Sequence, residues 1–234
     1  MIGAVAVVVP VHDEEELLGE SLAAVTAALS ALAAARPDVR AGAWVVLDAC
    51  TDDSASIAEA AGLPIVRLDA GCVGLARAAG TAAALRSMRG IPPGRIWTAH
   101  TDADSVVPPH WLVHQVRLAD AGADVAVGTV RPDFRDLDEA RAAAWWRRYT
   151  PGVANGHVHG ANLGIRASAL DAAGGFAPIP EHEDVRLVEA ARRAGAVLVA
   201  TDDAWVRTSG RQRGRTPGGY ARYLRDDLVA PVEV

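Results

Sequence analysis

Ile96-Trp97-Thr98-Ala99-His100-Thr101-Asp102-Ala103-Asp104-Ser105 is an apolar run that stops on two aspartates one residue apart. The run predicts a buried strand over Arg95–Thr101, and in extended chain positions i and i+2 point to the same side. Asp102 and Asp104 then present two carboxylates together at a strand's carboxyl end. That donor set suits a hard divalent cation that also binds phosphate oxygens. Surface carboxylates without a ligand are the plainer reading of such a pair. The chain carries a second pair, Asp136-Leu137-Asp138, which follows no predicted strand and is expected on a solvated helix face.

Working outward, apolar β-branched runs alternate with alanine- and leucine-rich segments. Strands are expected at Ala4–Val9, Trp44–Asp48, Ile65–Leu68 and Asp124–Val130. Helices are expected at Asp13–Ala35, opened by Asp13, at Thr51–Ala61, capped from the Thr-Asp-Asp-Ser cluster, and at Gly74–Arg89 and Pro109–Ala121. This order predicts an α/β fold with a mainly parallel sheet and helices on both faces, with ligands beyond the carboxyl ends of the strands. The second half is less regular. It reads as a helix over Leu137–Tyr149, a Gly/His/Asn loop over Thr150–His159 and a strand within Gly160–Arg166. A helix over Asp184–Ala194, short strands at Ala196–Ala200 and Ala204–Arg207, and a terminal helix over Pro217–Leu228 follow.

The 234 residues suit one compact domain. The net charge of −6 gives no global attraction for nucleic acid. Every basic residue is an arginine, which excludes a P-loop lysine, a Schiff-base lysine and a kinase-type strand lysine. Cys50 and Cys72 form no C-x-x-C pair, so no disulfide framework or zinc cluster is expected, and two reduced thiols fit a cytoplasmic protein. No secretory leader is read at the N-terminus. The apolar run Leu22–Ala35 is shorter than the roughly 20 residues of a membrane span. No transmembrane segment is therefore expected, while peripheral membrane contact stays open.

Further motifs sit at other predicted strand ends. Pro10-Val11-His12-Asp13-Glu14-Glu15 follows the first strand, where a turn and a helix cap are the bland reading. Asp48 ends the second strand and could accept a hydrogen bond from a nucleobase N–H. Arg77 lies on the first turns of a helix, where it could reach a base or a phosphate, or pair with an aspartate. Gly160-Ala161-Asn162 precedes a strand. Glu183-Asp184 opens a helix, so each is either N-terminal helix charge or a general base. His100 is expected as a satisfied core histidine, Trp111 as packing under the D-x-D, and Trp145 and Trp146 on different helix faces.

Taken in this order, the motifs resemble those of an inverting glycosyltransferase of the GT-A fold, family 2, from about Val5 to Arg211. Pro10 to Glu15 is similar to the family's P-x-x-N-E-E, with Asp13 for asparagine. Asp48 to Ser54 is similar to D-D-G-S-T-D-D-T, with Leu47 for the first aspartate and Ala49-Cys50 for Gly-Ser. Asp102-Ala103-Asp104 matches the D-x-D, and Glu183-Asp184 matches the E-D pair.

The resemblance implies a catalytic domain over 1–211, with a nucleotide-binding half (1–105), an acceptor-binding half (106–211) and a C-terminal tail or helix (212–234). It implies a nucleotide site of Pro10, His12, Glu14, Asp48, Arg77 and Asp102, and Mn²⁺ or Mg²⁺ held chiefly by Asp104 with Asp102 nearby. Asp184 becomes the base, with Glu183 beside it, and Gly160, Ala161 and Asn162 line the sugar or acceptor side. The implied reaction is inverting hexosyl transfer from a nucleoside-diphosphate sugar, UDP-sugar favoured, to an acceptor hydroxyl. His157, His159 and His182 are candidates for a third metal ligand. Arg211, Arg213 and Arg215 are candidates to clamp a diphosphate or to contact an anionic acceptor or lipid, with a plain exposed loop as the alternative reading. The competing readings are a nucleotidyltransferase, against which the acidic Asp13–Glu16 stands, and a nucleotide-sugar-binding module without turnover.

Overall fold

The computed structural model describes residues 1–216 and 218–229. The valine-rich N-terminal run forms β1 (Ala4–Val11), which continues past Val9 to the entry motif. The other strands are β2 (Arg40–Asp48), β3 (Ile65–Leu68), β4 (Ile96–His100), the short β5 (Ser105–Val106), β6 (Val125–Pro132), β7 (Leu163–Arg166) and β8 (Leu198–Thr208). They make one sheet in the order β3-β2-β1-β4-β7-β6-β8-β5. The mainly parallel expectation holds from β3 to β4 and for β6 with β8. β7 runs antiparallel between β4 and β6, and β5 antiparallel to β8. β8 replaces the two short strands expected at Ala196–Ala200 and Ala204–Arg207. It stays one strand because its extra residues bulge where the register with β6 shifts between Gly128 and Val130.

The helices are α1 (Leu18–Ala35), α2 (Ser54–Ala60), α3 (Val73–Ser87), α4 (Trp111–Asp120), α5 (Glu139–Arg148), α6 (Ala167–Ala172), α7 (Glu183–Arg193) and α8 (Tyr220–Arg222), which runs on as a π turn over Tyr223–Asp227. Of the expected terminal helix, Pro217 lies outside the described residues. On one sheet face, Leu18, Leu22, Val25 and Leu32 of α1 and Trp111, Leu112 and Val116 of α4 pack on Val5, Val7 and Val9. α1 is long and apolar enough by length and composition to cross a membrane. Its packing on β1 is that of a core helix.

The other face carries α3, whose small residues let it lie almost on the strands. A Cβ on Gly80 would meet methyl groups of Val8 and Val46 at 2.6 Å. This close approach sets Arg77, three residues earlier on α3, at the carboxyl end of the sheet.

Two local expectations are corrected. Asp13 does not open a helix: it adopts a left-handed φ of 51°, and α1 starts at Leu18. Aspartate tolerates that conformation better than most residues, and here its carboxylate is drawn away to the Thr51 amide at 2.7 Å. The expected capping of α2 from the Thr51–Ser54 cluster holds through Asp52, which accepts from the Ser54 amide, while the Asp53 side chain makes no capping bond. The second aspartate pair is not on a helix face. Asp138 is the N-cap of α5, and Asp136 accepts from the Gly210 amide.

Ala49, at the position where the resembled motif has glycine, is left-handed too, with φ of 53°. An L-residue with a Cβ pays for that conformation. Ala49→Gly is expected to stabilise the fold by about 1 kcal/mol, read as a shifted urea midpoint at unchanged m-value.

Candidate active site

Three sheet exits and the start of α7 build the site. The exits of β1 and β2 are tied together by their acidic residues. Glu15 accepts from the Asp53 amide, Asp52 accepts from the Glu15 amide, and His12 Nδ1 lies 2.8 Å from the Asp48 carbonyl. Pro10 stays within β1, half-buried opposite Val46. The Asp48 carboxylate is buried and accepts three backbone N–H groups, from Ala70 and Gly71 on one oxygen and Cys72 on the other. It therefore clamps the loop that leads into α3. Its capacity for a nucleobase is reduced to one oxygen.

Arg77 is the centre of the arrangement. Its guanidinium is fully buried, donating from Nε to Glu183 at 2.9 Å and from Nη2 to Asp102 at 2.5 Å. It takes the aspartate-paired alternative, not that of a free arm for a base or phosphate. It also joins the D-x-D to the Glu183-Asp184 motif. Gly160 makes room for it, since a Cβ there would lie 2.3 Å from Arg77 Nη2. Arg77 Nη1 has no partner among the described residues, nor do His100 Nδ1 and the hydroxyls of Thr81 and Thr101. His100 is a core histidine as expected, but it is satisfied only through Nε2, at 3.2 Å from Thr98 Oγ1. Burial, with the Arg77 charge, holds it well below its usual pKa and so neutral.

The Asp184 carboxylate is gripped by the Gly160 amide at 2.6 Å and the Val185 amide at 2.7 Å. Burial raises its pKa to about 6, helped by the Glu183 charge and opposed by Arg77 and the two amides. Burial likewise raises Asp104 to about 6, against the pull of Arg211. Asp104 Oδ1 accepts from Thr208 at 3.2 Å and Ser105 at 3.3 Å, and Oδ2 lies 3.0 Å from Arg211 Nη2. Arg211 also grips both oxygens of Glu14, at 2.8 and 2.5 Å.

The carboxylates of Asp102 and Asp104 are hard donors of the kind Mg²⁺ and Mn²⁺ take. Among the described residues no group of three or more His, Cys, Asp or Glu side chains converges on a metal position. A cation held there relies on water and phosphate oxygens for its other ligands, as Mg²⁺ commonly does. His157 and His182 are exposed. His159, whose pKa burial lowers to about 4, packs edge-on against Tyr220.

Asn162 is spent on the fold. Its amide donates to the Thr129 and Ala204 carbonyls and accepts from Trp111. Residues 160–162 form a 3-10 turn ahead of β7, and Ala161 is buried within it. The sequence reading missed the pairing of Glu14 with Arg211. It also missed a buried group in which Asp202 accepts from Tyr149 and Arg131, with Arg131 layered between the Tyr149 and Trp205 rings. Trp145 is core and Trp146 is exposed, as their adjacency predicted.

The family model described as Glycosyl transferase family 2 matches residues 6–170, from β1 through β7. The chain belongs to glycosyl transferase family 2. Solved structures share the fold of this family 2 chain. TarS of S. aureus is 16% identical with a TM-score of 0.62, covering 88% of this chain and 36% of its own. The mannosyltransferase PcManGT from Pyrobaculum calidifontis, solved with GDP-Man and Mn²⁺, is 23% identical with a TM-score of 0.62, over 90% of this chain and 58% of its own. Glucosyl-3-phosphoglycerate synthase from Mycobacterium tuberculosis, in complex with Mn²⁺, UDP and phosphoglyceric acid, is 18% identical with a TM-score of 0.56, over 98% and 80%. The chain thus spans between about a third and three-fifths of the first two of these structures. Comparison with curated proteins found no match.

Proposed function

We propose that the chain transfers a sugar, a hexose in the first instance, from a nucleoside-diphosphate sugar to an acceptor hydroxyl with inversion. The supporting observation is Arg77, which pairs with Asp102 of the D-x-D and with Glu183 of the Glu183-Asp184 motif and so joins two segments far apart in sequence. The complexes of the two similar enzymes with GDP-Man or UDP, and with Mn²⁺, support the donor class and a divalent cation. UDP-sugar remains the favoured donor. The nucleotide half is placed in 1–105, with His12, Glu14 and Asp48 around the base and ribose, and the acceptor half in 106–211. The setting is placed in the cytoplasm or at a membrane surface.

In this reading Asp104, with Asp102 beside it, holds Mg²⁺ or Mn²⁺, which when bound neutralises charge on the departing diphosphate. Asp184 takes the proton from the acceptor hydroxyl. The acceptor oxygen bonds to the anomeric carbon as the bond to the diphosphate breaks, through an oxocarbenium-like transition state. The Gly160 and Val185 amides fix the carboxylate's orientation while leaving lone pairs for that proton. Glu183 serves through Arg77, as a positioning residue. Gly160 and Ala161 shape the acceptor side through backbone.

Calorimetry with UDP, GDP, CDP and dTDP, with and without Mn²⁺, tests the reading. One diphosphate is expected to bind with Mn²⁺ and to lose that binding in Asp104→Ala. Failure of all four with metal would sink the donor site, leaving a binding module of another kind.

The rate also depends on pH through Asp184. Its pKa of about 6 means that it is protonated, and useless as a base, at lower pH. With Mn²⁺ saturating, so that Asp104, itself raised to about 6, stays ionised, kcat/KM, which reports the free enzyme, is expected to fall about tenfold per unit as pH drops below about 6. An acid limb near pH 4 would show that Asp184 is not the base.

A further inference from the structure

Arg211 lies against one oxygen of Asp104, with Nη2 at 3.0 Å from Oδ2. Oδ1 of that carboxylate is taken by the Thr208 and Ser105 hydroxyls, so Oδ2, the oxygen nearest Arg211, is the one open to a cation. Glu14 and Asp104 are both largely buried, with side chains 8% and 15% exposed. Two buried carboxylates need a counter-charge; the Arg211 guanidinium reaches both, and Arg215 Nε adds to it at 3.7 Å from Glu14. With Oδ1 taken by two hydroxyls and Oδ2 by the guanidinium, a divalent ion arriving at Asp104 competes with Arg211 for Oδ2.

Beyond a pinned glycine, the segment that carries Arg211 is held to the fold by arginine side chains. Gly210 is pinned: its amide donates to Asp136, and a Cβ there would lie 2.4 Å from the Asp133 carbonyl. Beyond it, arginine side chains hold the segment to the exit of β1, with Arg211 on Glu14 and Arg215 on the carbonyls of His12 and Asp13. Arg213 is exposed between them.

We propose that Arg211 is the resident cation of the Glu14–Asp104 pair, that it yields Asp104 when a divalent ion is taken up, and that it then turns to the donor's diphosphate. Its planar fork of donors matches phosphate oxygens as well as it matches the Glu14 carboxylate. The inference rests on the donor site proposed above. It adds that metal uptake and Arg211 compete in the empty protein and cooperate once the diphosphate is present.

The test is a Mn²⁺ titration followed by electron paramagnetic resonance, without nucleotide, on wild type, Arg211→Gln, Arg211→Lys and Asp104→Asn. Asp104→Asn is expected to lose the site. Arg211→Gln is expected to bind Mn²⁺ about tenfold tighter than wild type, and Arg211→Lys to fall between. With Mn²⁺ saturating, Arg211→Gln is expected to bind UDP or GDP, whichever calorimetry selects, about tenfold more weakly. Unchanged or weaker Mn²⁺ binding in Arg211→Gln, with Asp104→Asn still empty, overturns the exchange and leaves the donor site standing. Absence of Mn²⁺ binding in wild type and Arg211→Gln alike overturns the exchange together with the metal part of that site. Should Arg211→Gln not fold, wild type decides. Trypsin should cut after Arg211 and Arg215 faster with Mn²⁺ alone, and an unaltered rate rejects the proposal.

Discussion

Asp184→Asn should lower kcat by about 10²–10⁴-fold while leaving binding of the nucleoside diphosphate within about twofold of wild type. The amide has nearly the shape of the carboxylate and can keep accepting from the Gly160 or Val185 amide through its one oxygen. It cannot take a proton at neutral pH. The expected loss therefore belongs to the chemical step. Single-turnover measurement separates it from product release. A variant that keeps more than a tenth of wild-type kcat would remove Asp184 from the role of base and turn attention to Glu183. A variant that also loses diphosphate binding would show the residue to be part of the site's framework.

Arg77→Ala should cost about 3–5 kcal/mol of stability, the usual range when one partner of a buried ion pair is removed. Arg77 and Glu183 have side chains only 2% and 6% exposed, so the stranded Glu183 carboxylate has little access to water. Asp102 is 39% exposed and suffers less. Most of the cost thus arises at Glu183 and from the space left by the guanidinium. Urea unfolding at pH 7 reads it. A loss below about 1 kcal/mol would mean that water or a rearranged side chain takes over the pairing. The same variant should lose turnover even where it remains folded, because α7 is no longer tied to the D-x-D.

The sheet was legible because its signal is local. Apolar β-branched runs such as Ala4–Val11 and Ile96–His100 need no distant information to be recognised, and the D-x-D is located by the strand it ends. What the residues at those exits do was less legible, because their partners come from remote segments. Asp13 reads as a helix cap until Thr51 is placed beside it, and Asp48 reads as a free acceptor until the loop at Ala70–Cys72 folds over it. Asn162 reads as a site residue, yet its amide bridges β6, β8 and α4. Glu14 and Arg211 stand 197 positions apart, a pairing no local pattern announces. Motif order identified the family, whereas the division of labour among its carboxylates needed the coordinates.

The antiparallel insertion of β7 between β4 and β6 has a mechanical consequence. The ladders on either side of it stitch the first hundred residues to the second, so the two halves cannot pivot about a hinge without breaking the middle of the sheet. Access for donor and acceptor must come from segments peripheral to that seam: the loop at Thr150–His159 and the arginine-bearing stretch after β8. Backbone amides of β4, β7 and β6 should consequently exchange with deuterium among the slowest in the molecule and keep that rate on loading with nucleotide, while those peripheral segments change theirs.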